Sequence, residues 1–287
     1  MAKSSNAKIS QRISQFMHQG LTFDVVDSGP LDGEVVVLLH GFPSTKESWS
    51  EVSSLLNAAG YRTIAPDQRG YSPLARPQKR SDYRLDLLAA DIEALIDQIA
   101  QPIHLVGHDW GAMVAWRVAQ RHTHPIKTLT TVSVPHPGAY VRSMLSSNQL
   151  FKSYYMVLFQ LPRVPEWLTM KTPTIKGLLK NSGMTPEQIQ HFNHDIVDRG
   201  ALTTAINWYR AMPFMNPKTM LTKVKIPTTH VWSEGDVALA KAGAELTHRF
   251  VDADYKLEIL KNLSHWIPEE APQVLATIIE SRIHWNA

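Results

Sequence analysis

The chain has 287 residues, 44% of them apolar, which suits one large globular domain or one domain with an insertion rather than a disordered or fibrous protein. Its 29 basic and 26 acidic side chains give a formal charge of +3, and because the Lys and Arg residues are scattered we expect no nucleic-acid partner. It contains no cysteine, which excludes disulfides, thiolate metal sites and a cysteine nucleophile, and no apolar run approaches the roughly 18 residues of a membrane span.

The chain begins with a polar stretch, MAKSSNAKISQRISQ, without the apolar core of a secretory signal, so we expect a cytoplasmic protein. Residues 21–26 (LTFDVV) alternate apolar and polar side chains, which predicts a half-buried edge strand. Residues 35–39 are continuously apolar, which predicts a strand buried on both faces. The pattern then predicts a helix over 48–59, a strand over 63–65, a helix over 82–99, a strand over 103–106, a helix over 111–121 and a strand over 129–134.

The alternation of strands and helices stops after Pro137. Residues 140–215 are rich in Met, Leu, Tyr and Trp and contain several prolines, which predicts short helices joined by turns. Strands resume at 228–233 and 255–260, and a last helix is predicted over 271–285. We therefore predict an α/β fold whose mostly parallel sheet carries helices on both faces, with a helical cap inserted into it. The predicted domains are a core formed by 1–138 and 216–287, and a cap formed by 139–215.

Four polar clusters follow predicted strands of this core. They are the segment HGFP at 40–43, the segment GHDWG at 107–111, Asp236 and His265. Reactive groups of open α/β sheets gather beyond the carboxyl ends of the strands. The sequence therefore predicts that these clusters form one site.

Asp109 lies between a predicted strand and a predicted helix, with Gly107 and Gly111 two residues away on either side. Glycines at these positions permit a very tight turn, because they add no side chain that would clash there. Such a turn lifts the central side chain above the sheet and aims the backbone N–H of Trp110 at a neighbouring oxyanion. Asp is also a favoured N-cap residue, so simple capping of the helix is the alternative interpretation.

The other clusters supply what a carboxylate nucleophile needs. His265 can take a proton from water at neutral pH, and Asp236 can accept a hydrogen bond from its Nδ1 and fix its tautomer. Glu234, two residues earlier, is the competing candidate for this orienting acid. The backbone N–H of Phe42 is a candidate second oxyanion donor beside that of Trp110.

A carboxylate at the position of Asp109 favours displacement at a saturated carbon. Its attack there forms an ester, which water can hydrolyse, whereas a serine would form an ether that activated water does not readily cleave. The leaving group is then an epoxide oxygen or a halide. No metal ion and no cofactor is required.

Four segments carry a resemblance to a known family: HGFP at 40–43, DQRGYSPLARP at 67–77, GHDWGA at 107–112 and SHW at 264–266. Together and in this order they resemble the signatures of the α/β-hydrolases and, more narrowly, of the epoxide hydrolases. The resemblance covers nearly the whole chain except about the first fifteen residues. It implies the α/β-hydrolase fold, a catalytic triad of the residues named above, and supporting roles for His40, Gly41, Pro43 and His108.

The resemblance also implies two tyrosines of the cap that donate hydrogen bonds to the epoxide oxygen. One precedes an FQ-x-P segment in the family, and SYYMVLFQLP has Tyr155 at the matching position. The other lies in NWYR-x-M, and INWYRAM has Tyr209 there. Tyr154 is adjacent and could be confused with Tyr155. The predicted reaction therefore converts a small apolar epoxide and water to a vicinal diol, catalysed by a monomer or homodimer.

Three alternative functions stay open. A haloalkane dehalogenase shares the Asp-Trp elbow, and Trp110 would hold the halide, but that family usually has asparagine where this chain has Phe42. A fluoroacetate dehalogenase usually has arginine after the nucleophile, which Trp110 departs from; we interpret Arg69 as a structural loop residue. A ligand receptor with little turnover is the third. An esterase is disfavoured because no serine occupies the elbow.

Overall fold

The computed structural model describes residues 11–285. Most of the polar N-terminal stretch, where we expected no secretory signal, lies outside these described residues. The described chain forms an eight-stranded sheet with the order β1-β2-β4-β3-β5-β6-β7-β8. Its strands are β1 (Gln15–His18), β2 (Leu21–Ser28), β3 (Val35–Leu39), β4 (Arg62–Pro66), β5 (Ile103–His108), β6 (Ile126–Val132), β7 (Thr228–Ser233) and β8 (Tyr255–Leu260).

The six strands from β4 to β8 in this order are mutually parallel, and β1 and β2 pair antiparallel at one side. Every residue of β3, β4, β5 and β7 is buried, as expected for parallel strands covered on both faces. Leu39 of β3 is the register partner of Gly107 in β5, which brings the segments after these two strands together.

The prediction that residues 21–26 form an edge strand is wrong in one respect. The strand forms as β2, but β1 pairs outside it, with Phe16 opposite Phe23. Their rings stack with centroids 4.5 Å apart, and both side chains are buried. β1 has only four residues, too few for an alternating pattern to identify it.

Helices cover both faces of the sheet, which confirms the predicted architecture. Apolar side chains of α2 (Leu85–Ile99) and α3 (Trp110–Arg121) pack on one face, and those of α1 (Ser50–Ala58) and α14 (Pro272–His284) pack on the other. The helices are α1 (Ser50–Ala58), α2 (Leu85–Ile99), α3 (Trp110–Arg121), α4 (Pro137–Ser146), α5 (Gln149–Lys152), α6 (Tyr154–Gln160), α7 (Val164–Lys171), α8 (Thr174–Asn181), α9 (Pro186–His191), α10 (Leu202–Arg210), α11 (Pro217–Met220), α12 (Lys241–Leu246), α13 (Ile267–Glu270) and α14 (Pro272–His284), with a π-helical turn at Phe192–Asp198 and 3₁₀ turns at Lys46–Trp49, Arg80–Tyr83, Met212–Phe214 and Thr247–Phe250.

Helices α4 to α11 form a helical segment between β6 and β7, covering residues 137–220. It packs on loops beyond the carboxyl ends of the strands: the indole N–H of Trp208 donates to the Arg69 carbonyl at 2.7 Å, and the Thr204 hydroxyl donates to the Gly70 carbonyl at 2.6 Å. The helical segment therefore covers the edge of the sheet where the site was predicted. The division into two domains at 139 and 215 stays a prediction.

Candidate active site

Asp109 lies on a sharp turn directly between β5 and α3. Its backbone is strained, with φ 51° and ψ −121°. A Cβ atom on Gly107 would lie 2.3 Å from the Gly111 carbonyl oxygen, and one on Gly111 would lie 2.1 Å from the Leu39 carbonyl oxygen. The turn can form only because both flanking residues are glycine, and it presents Asp109 at the edge of the sheet.

The Asp109 side chain does not cap the helix that follows. Although it stands at the N-cap position of α3, it accepts no capping hydrogen bond. Its Oδ1 atom accepts a hydrogen bond from the backbone N–H of Phe42 at 2.8 Å. A Cβ on Gly41 would lie 2.4 Å from the Cβ of Asp109, so this approach of the two loops requires glycine there. The Phe42–Pro43 peptide bond is cis.

His265 and Asp236 form a hydrogen-bonded pair behind Asp109. The Nδ1–H of His265 donates to Asp236 Oδ2 at 2.7 Å, and its Nε2 lies 3.4 Å from Asp109 Oδ2. The other oxygen of Asp236 accepts the backbone N–H groups of Ala238 and Leu239, both at 2.8 Å. Glu234, the competing acid, is exposed. The structure therefore places Asp236 and not Glu234 beside the imidazole.

The charges of this trio are coupled. Burial alone would lower the pKa of His265, but the charges and hydrogen bonds of Asp236 and Asp109 raise it to about 10. Burial likewise opposes ionisation of Asp109, yet its hydrogen bond to His265 and the charge of that ring hold its pKa below the ordinary value. At neutral pH the site therefore contains an imidazolium ion between two carboxylates.

Two further histidines fix the loops around the trio. The ring Nε2 of His108 donates to the backbone carbonyl of His265 at 2.9 Å, and the Ser133 hydroxyl donates to the same oxygen at 3.0 Å. Burial lowers the pKa of His108 to about 4, so its ring is neutral. His40 accepts the backbone N–H of Gln68 at 3.0 Å, and its own carbonyl accepts from the Gln68 side chain. These contacts hold the main chain around the trio in place.

Both predicted tyrosines of the helical segment face Asp109. Tyr155 and Tyr209 line the same two cavities as Asp109, and their ring centroids are 6.0 Å apart. Burial raises the pKa of each phenol well above its ordinary value, so both stay protonated and can donate a hydrogen bond. Tyr154, in contrast, is 59% exposed.

The two cavities meet at Asp109 and these tyrosines and are mainly apolar. One has a volume of about 380 Å³ and the other of about 310 Å³. The first is lined by six methionines: Met113, Met144, Met156, Met212, Met215 and Met220. The second includes Phe42, Phe159 and Trp266. The space around Asp109 therefore accommodates an apolar molecule.

The helix α5 contributes two residues that the sequence analysis missed. The buried amide of Gln149 donates to the Ala238 carbonyl at 2.9 Å and accepts the Ala240 N–H at 2.7 Å. The ammonium group of Lys152 donates to the Asp236 carbonyl at 2.7 Å. The helical segment thus holds the loop that carries Asp236. No local pattern could identify these contacts, because the partners are more than 80 residues apart.

Arg69, which we interpreted as a structural loop residue, is buried and forms a bidentate ion pair with Asp91 at 2.7 Å. Within residues 11–285, no three His, Asp or Glu side chains are grouped closely enough to hold a metal ion. None of the helices in this range is long and apolar enough to cross a bilayer.

The chain is similar to known proteins along most of its length. Residues 36–278 match the Alpha/beta hydrolase family. Epoxide hydrolase 3 of Xenopus tropicalis is 34% identical in an alignment that covers 91% of this chain and 74% of that protein. The AB hydrolase superfamily protein YfhM of Bacillus subtilis (strain 168) is also 34% identical, with coverage of 92% and 96%.

Solved structures agree with this similarity. One chain, described as a novel epoxide hydrolase of the alpha/beta hydrolases superfamily from metagenomes of hot environments, has a TM-score of 0.78 at 29% identity and covers 92% of this chain. That match covers 95% of the solved chain. A Bacillus megaterium epoxide hydrolase in complex with an inhibitor has a TM-score of 0.82 at 22% identity, covering 94% of this chain and 99% of its own. The second likeness concerns the fold alone.

Proposed function

The chain is a hydrolase that belongs to the alpha/beta hydrolase family and groups with its epoxide hydrolases, and from this membership we propose that it converts an epoxide and water to a vicinal diol through an ester of Asp109. One observation carries the proposal. The Asp109 carboxylate faces two protonated tyrosines across an apolar cavity and has the His265–Asp236 pair behind it. This arrangement contains a nucleophile, acids for the leaving oxygen and a base for water.

In the first step an oxygen of Asp109 attacks one ring carbon of the epoxide. A carbon–oxygen bond to the carboxylate forms and the ring carbon–oxygen bond breaks. Negative charge develops on the former ring oxygen, where the O–H groups of Tyr155 and Tyr209 donate hydrogen bonds and supply a proton. The imidazolium of His265 holds a proton that can replace the one lost by the phenol.

In the second step the ester is hydrolysed. Esterification removes the negative charge of Asp109, which is one of the two carboxylates that raise the pKa of His265. The pKa of the ring therefore falls and His265 can accept a proton from water, while Asp236 keeps its orientation. The resulting hydroxide attacks the ester carbonyl carbon.

The tetrahedral oxyanion of this step needs donors near the Asp109 carboxyl group. The N–H of Phe42 already donates to Oδ1 at 2.8 Å. Trp110 begins α3, so its N–H has no acceptor within the helix and is available as the second donor. Collapse of the tetrahedral species releases the diol, which takes its second proton from His265, and leaves Asp109 as a carboxylic acid. That acid returns its proton to His265, which restores the carboxylate and the imidazolium of the resting site.

The apolar lining of both cavities supports a small apolar epoxide as the substrate. The supporting roles of His40, Gly41, Pro43 and His108 belong to the same proposal, since their contacts fix the loops that carry the reacting groups. The cytoplasmic location, and whether the protein is a monomer or a homodimer, stay predictions.

Dehalogenation of a haloalkane is the second candidate, and one observation favours it: Trp110 lines the cavity beside Asp109 and could offer its indole N–H to a halide. The side chain of Phe42, however, offers no second halide donor. The two tyrosines also have no role in halide release. These differences favour the epoxide.

A panel of small apolar epoxides and haloalkanes, scored for diol and for halide, tests the proposal. We expect diol from the epoxides and at most traces of halide. Halide as the main product would establish dehalogenation, and a stable ligand complex without turnover would indicate a receptor.

A single turnover with enzyme in excess, in water labelled with heavy oxygen, tests the covalent step. We expect the first diol to contain ordinary oxygen taken from Asp109. A first diol that already contains the heavy isotope would show direct attack by water and contradict the ester.

A further inference from the structure

Helices α4 to α7 and the turns between them expose an unusual number of large apolar side chains. Ten of the nineteen that residues 11–285 expose lie between residues 141 and 170. Monomeric proteins rarely expose apolar side chains in such concentration unless something binds there. We call this set the outer apolar surface; its members are Val141, Leu145, Leu150, Phe151, Tyr154, Val157, Leu161, Val164, Trp167 and Met170.

Helical spacing groups these residues on shared faces. Val141 and Leu145 are four residues apart on α4, and Tyr154 and Val157 are three residues apart on α6. On α7, Trp167 is followed by Met170 after three residues. In chain order, α4 contacts α5, α5 contacts α6, and α6 contacts α7. The exposed side chains therefore belong to successive helices that contact one another, and we treat them together as one surface.

The charged side chains that helices α4 to α8 expose are all positive. Between residues 137 and 181 the chain has six basic residues and one acidic residue, Glu166. Glu166 is buried and paired with Arg210 at 2.7 Å. None of the six basic side chains forms an ion pair with a carboxylate in the part of the chain that the structure describes; they are Arg142, Lys152, Arg163, Lys171, Lys176 and Lys180.

We propose that the outer apolar surface docks on an anionic phospholipid bilayer. Exposed Leu, Phe and Val side chains can enter the boundary between headgroups and acyl chains, and Trp and Tyr favour that interface. Lys and Arg residues without a carboxylate partner are attracted to anionic headgroups. Lys152 is the exception among the six, because the Asp236 and Leu239 carbonyls hold its ammonium group. The absence of any exposed carboxylate among these helices fits a uniformly negative surface.

The smaller cavity opens on the same side of the molecule. Its lining includes Lys152 and Tyr154 of the docking helices and, from α8, Leu178 and Asn181. Tyr154 and Asn181 are exposed, so they mark the mouth of this cavity. An apolar epoxide dissolved in the bilayer would then enter directly from the lipid; this consequence, unlike the docking, rests on the proposed function.

Vesicle sedimentation of the full chain tests the docking without any turnover. The vesicles contain phosphatidylcholine alone or phosphatidylcholine with phosphatidylglycerol, in low-salt and high-salt buffers. We expect binding to the phosphatidylglycerol vesicles that weakens at high salt, because salt screens the attraction. Protein that stays in the supernatant with both kinds of vesicle would overturn the proposal.

Variants locate the surface. Phe151→Ser with Trp167→Ser is expected to weaken binding at least about tenfold, because two buried apolar contacts with the lipid are lost. Lys171→Gln is expected to weaken it about fivefold. The controls are Met17→Ser on β1, an exposed apolar residue outside the helical segment, and Lys225→Gln, an exposed lysine before the amino end of β7. Equal effects of test and control variants would refute the assignment of this surface.

A second copy of the chain is the competing occupant. Sedimentation velocity without lipid distinguishes it. A monomer that binds vesicles supports docking on lipid. The opposite outcome is a dimer that does not bind vesicles and that dissociates when Phe151→Ser and Trp167→Ser are combined. This outcome would show a protein interface instead and overturn the proposal.

Discussion

The loops at the strand ends and the helical segment above them build the same cavity in different ways. Around Asp109 the positions are set by the main chain: three glycines make contacts that no other residue could make, and the trio is buried. In the helical segment, Gly177 has open space around it, and contacts to the cavity come from long side chains of Met, Leu and Tyr. Backbone geometry therefore fixes the groups around Asp109, and side chains of the helical segment shape the space in front of it; on the proposed function, the first determines the chemistry and the second the choice of substrate.

The largest effects are expected at the strand ends. Asp109→Ala should reduce turnover by at least about 10⁴-fold, because the attacking group is lost. His265→Gln should leave ester formation intact but slow its hydrolysis by about a thousandfold. Mass spectrometry of the second variant after incubation with an epoxide should therefore show the protein plus one substrate. A His265→Gln protein that never gains this mass, while Asp109→Ala is inactive, would contradict the two-step reaction.

A matched pair of glycine variants tests the contrast in backbone constraint. Gly111→Ala should lower the free energy of unfolding by about 3 kcal/mol or more, because the new methyl group would overlap the Leu39 carbonyl. Gly177→Ala in α8 meets no atom within 4 Å and should raise it by about 0.5–1 kcal/mol. Urea denaturation measures both. Similar changes in the two variants would mean that the two regions do not differ in this way.

A pair of tyrosine variants tests the helical segment. Tyr209→Phe should slow ester formation about 10- to 100-fold, because one hydrogen bond to a charged oxygen is lost while the ring is kept. Tyr154→Phe, at an exposed residue, is the control and should have little effect. Rapid-mixing kinetics of the first step provides the measurement. If Tyr209→Phe forms the ester as fast as the native protein, the assignment of the phenols as donors is wrong.

The smallest effect is expected from pH. Burial favours a lower pKa for His265, but two carboxylates outweigh it. The pKa of the ring is therefore raised from its ordinary value of 6.5 to about 10. Its stabilisation is therefore complete below about pH 6.5 and is lost as the pH rises to 10. Burial raises the pKa of Glu269 to about 8, so Glu269 also reduces stability as the pH rises, but only up to about pH 8. The interval from pH 8 to 9 isolates His265, because the buried tyrosines, whose ordinary pKa of 10.0 is raised in the folded chain, begin to reduce stability only as the pH approaches 10.

In that interval the free energy of unfolding of the native protein should fall, and that of His265→Gln should stay level. Denaturation at stepped pH values measures both. The helical segment should contribute little in this interval. Arg210, against the effect of burial, holds the pKa of Glu166 below its ordinary value, and burial raises the pKa of the phenols of Tyr155 and Tyr209 further above 10. A native protein whose stability is flat from pH 8 to 9 would contradict the coupling of the imidazolium to the two carboxylates.

Much of the fold and of the site was predictable because strong main-chain demands leave a local pattern. Gly107 and Gly111 predict the turn at Asp109, and continuous apolar runs predict the buried parallel strands. The carboxyl ends of neighbouring parallel strands meet, so residues as distant as Asp109 and His265 could be assigned to one site. Their catalytic roles stay predictions until the variants above are measured.

What escaped prediction depends on tertiary contact. β1 is too short to show a period, and it is held by the stacking of Phe16 on Phe23. The helix predicted over 82–99 is interrupted at Arg84, whose ψ of 142° is not helical although its neighbours are apolar at helical spacing. The hydrogen bonds of Gln149 connect α5 to residues about ninety positions later, and no local pattern records them.

The hydrogen bonds of Gln149 and Lys152 join the helical segment to the loop that carries Asp236. Both residues lie on α5, and their side chains form hydrogen bonds with the main chain at Asp236, Ala238 and Ala240. If α5 moved away from this loop, these hydrogen bonds would break and the main chain that carries Asp236 would lose part of its support. The 2.7 Å contact between Asp236 and the His265 ring therefore depends on the packing of the helical segment as well as on the strand ends.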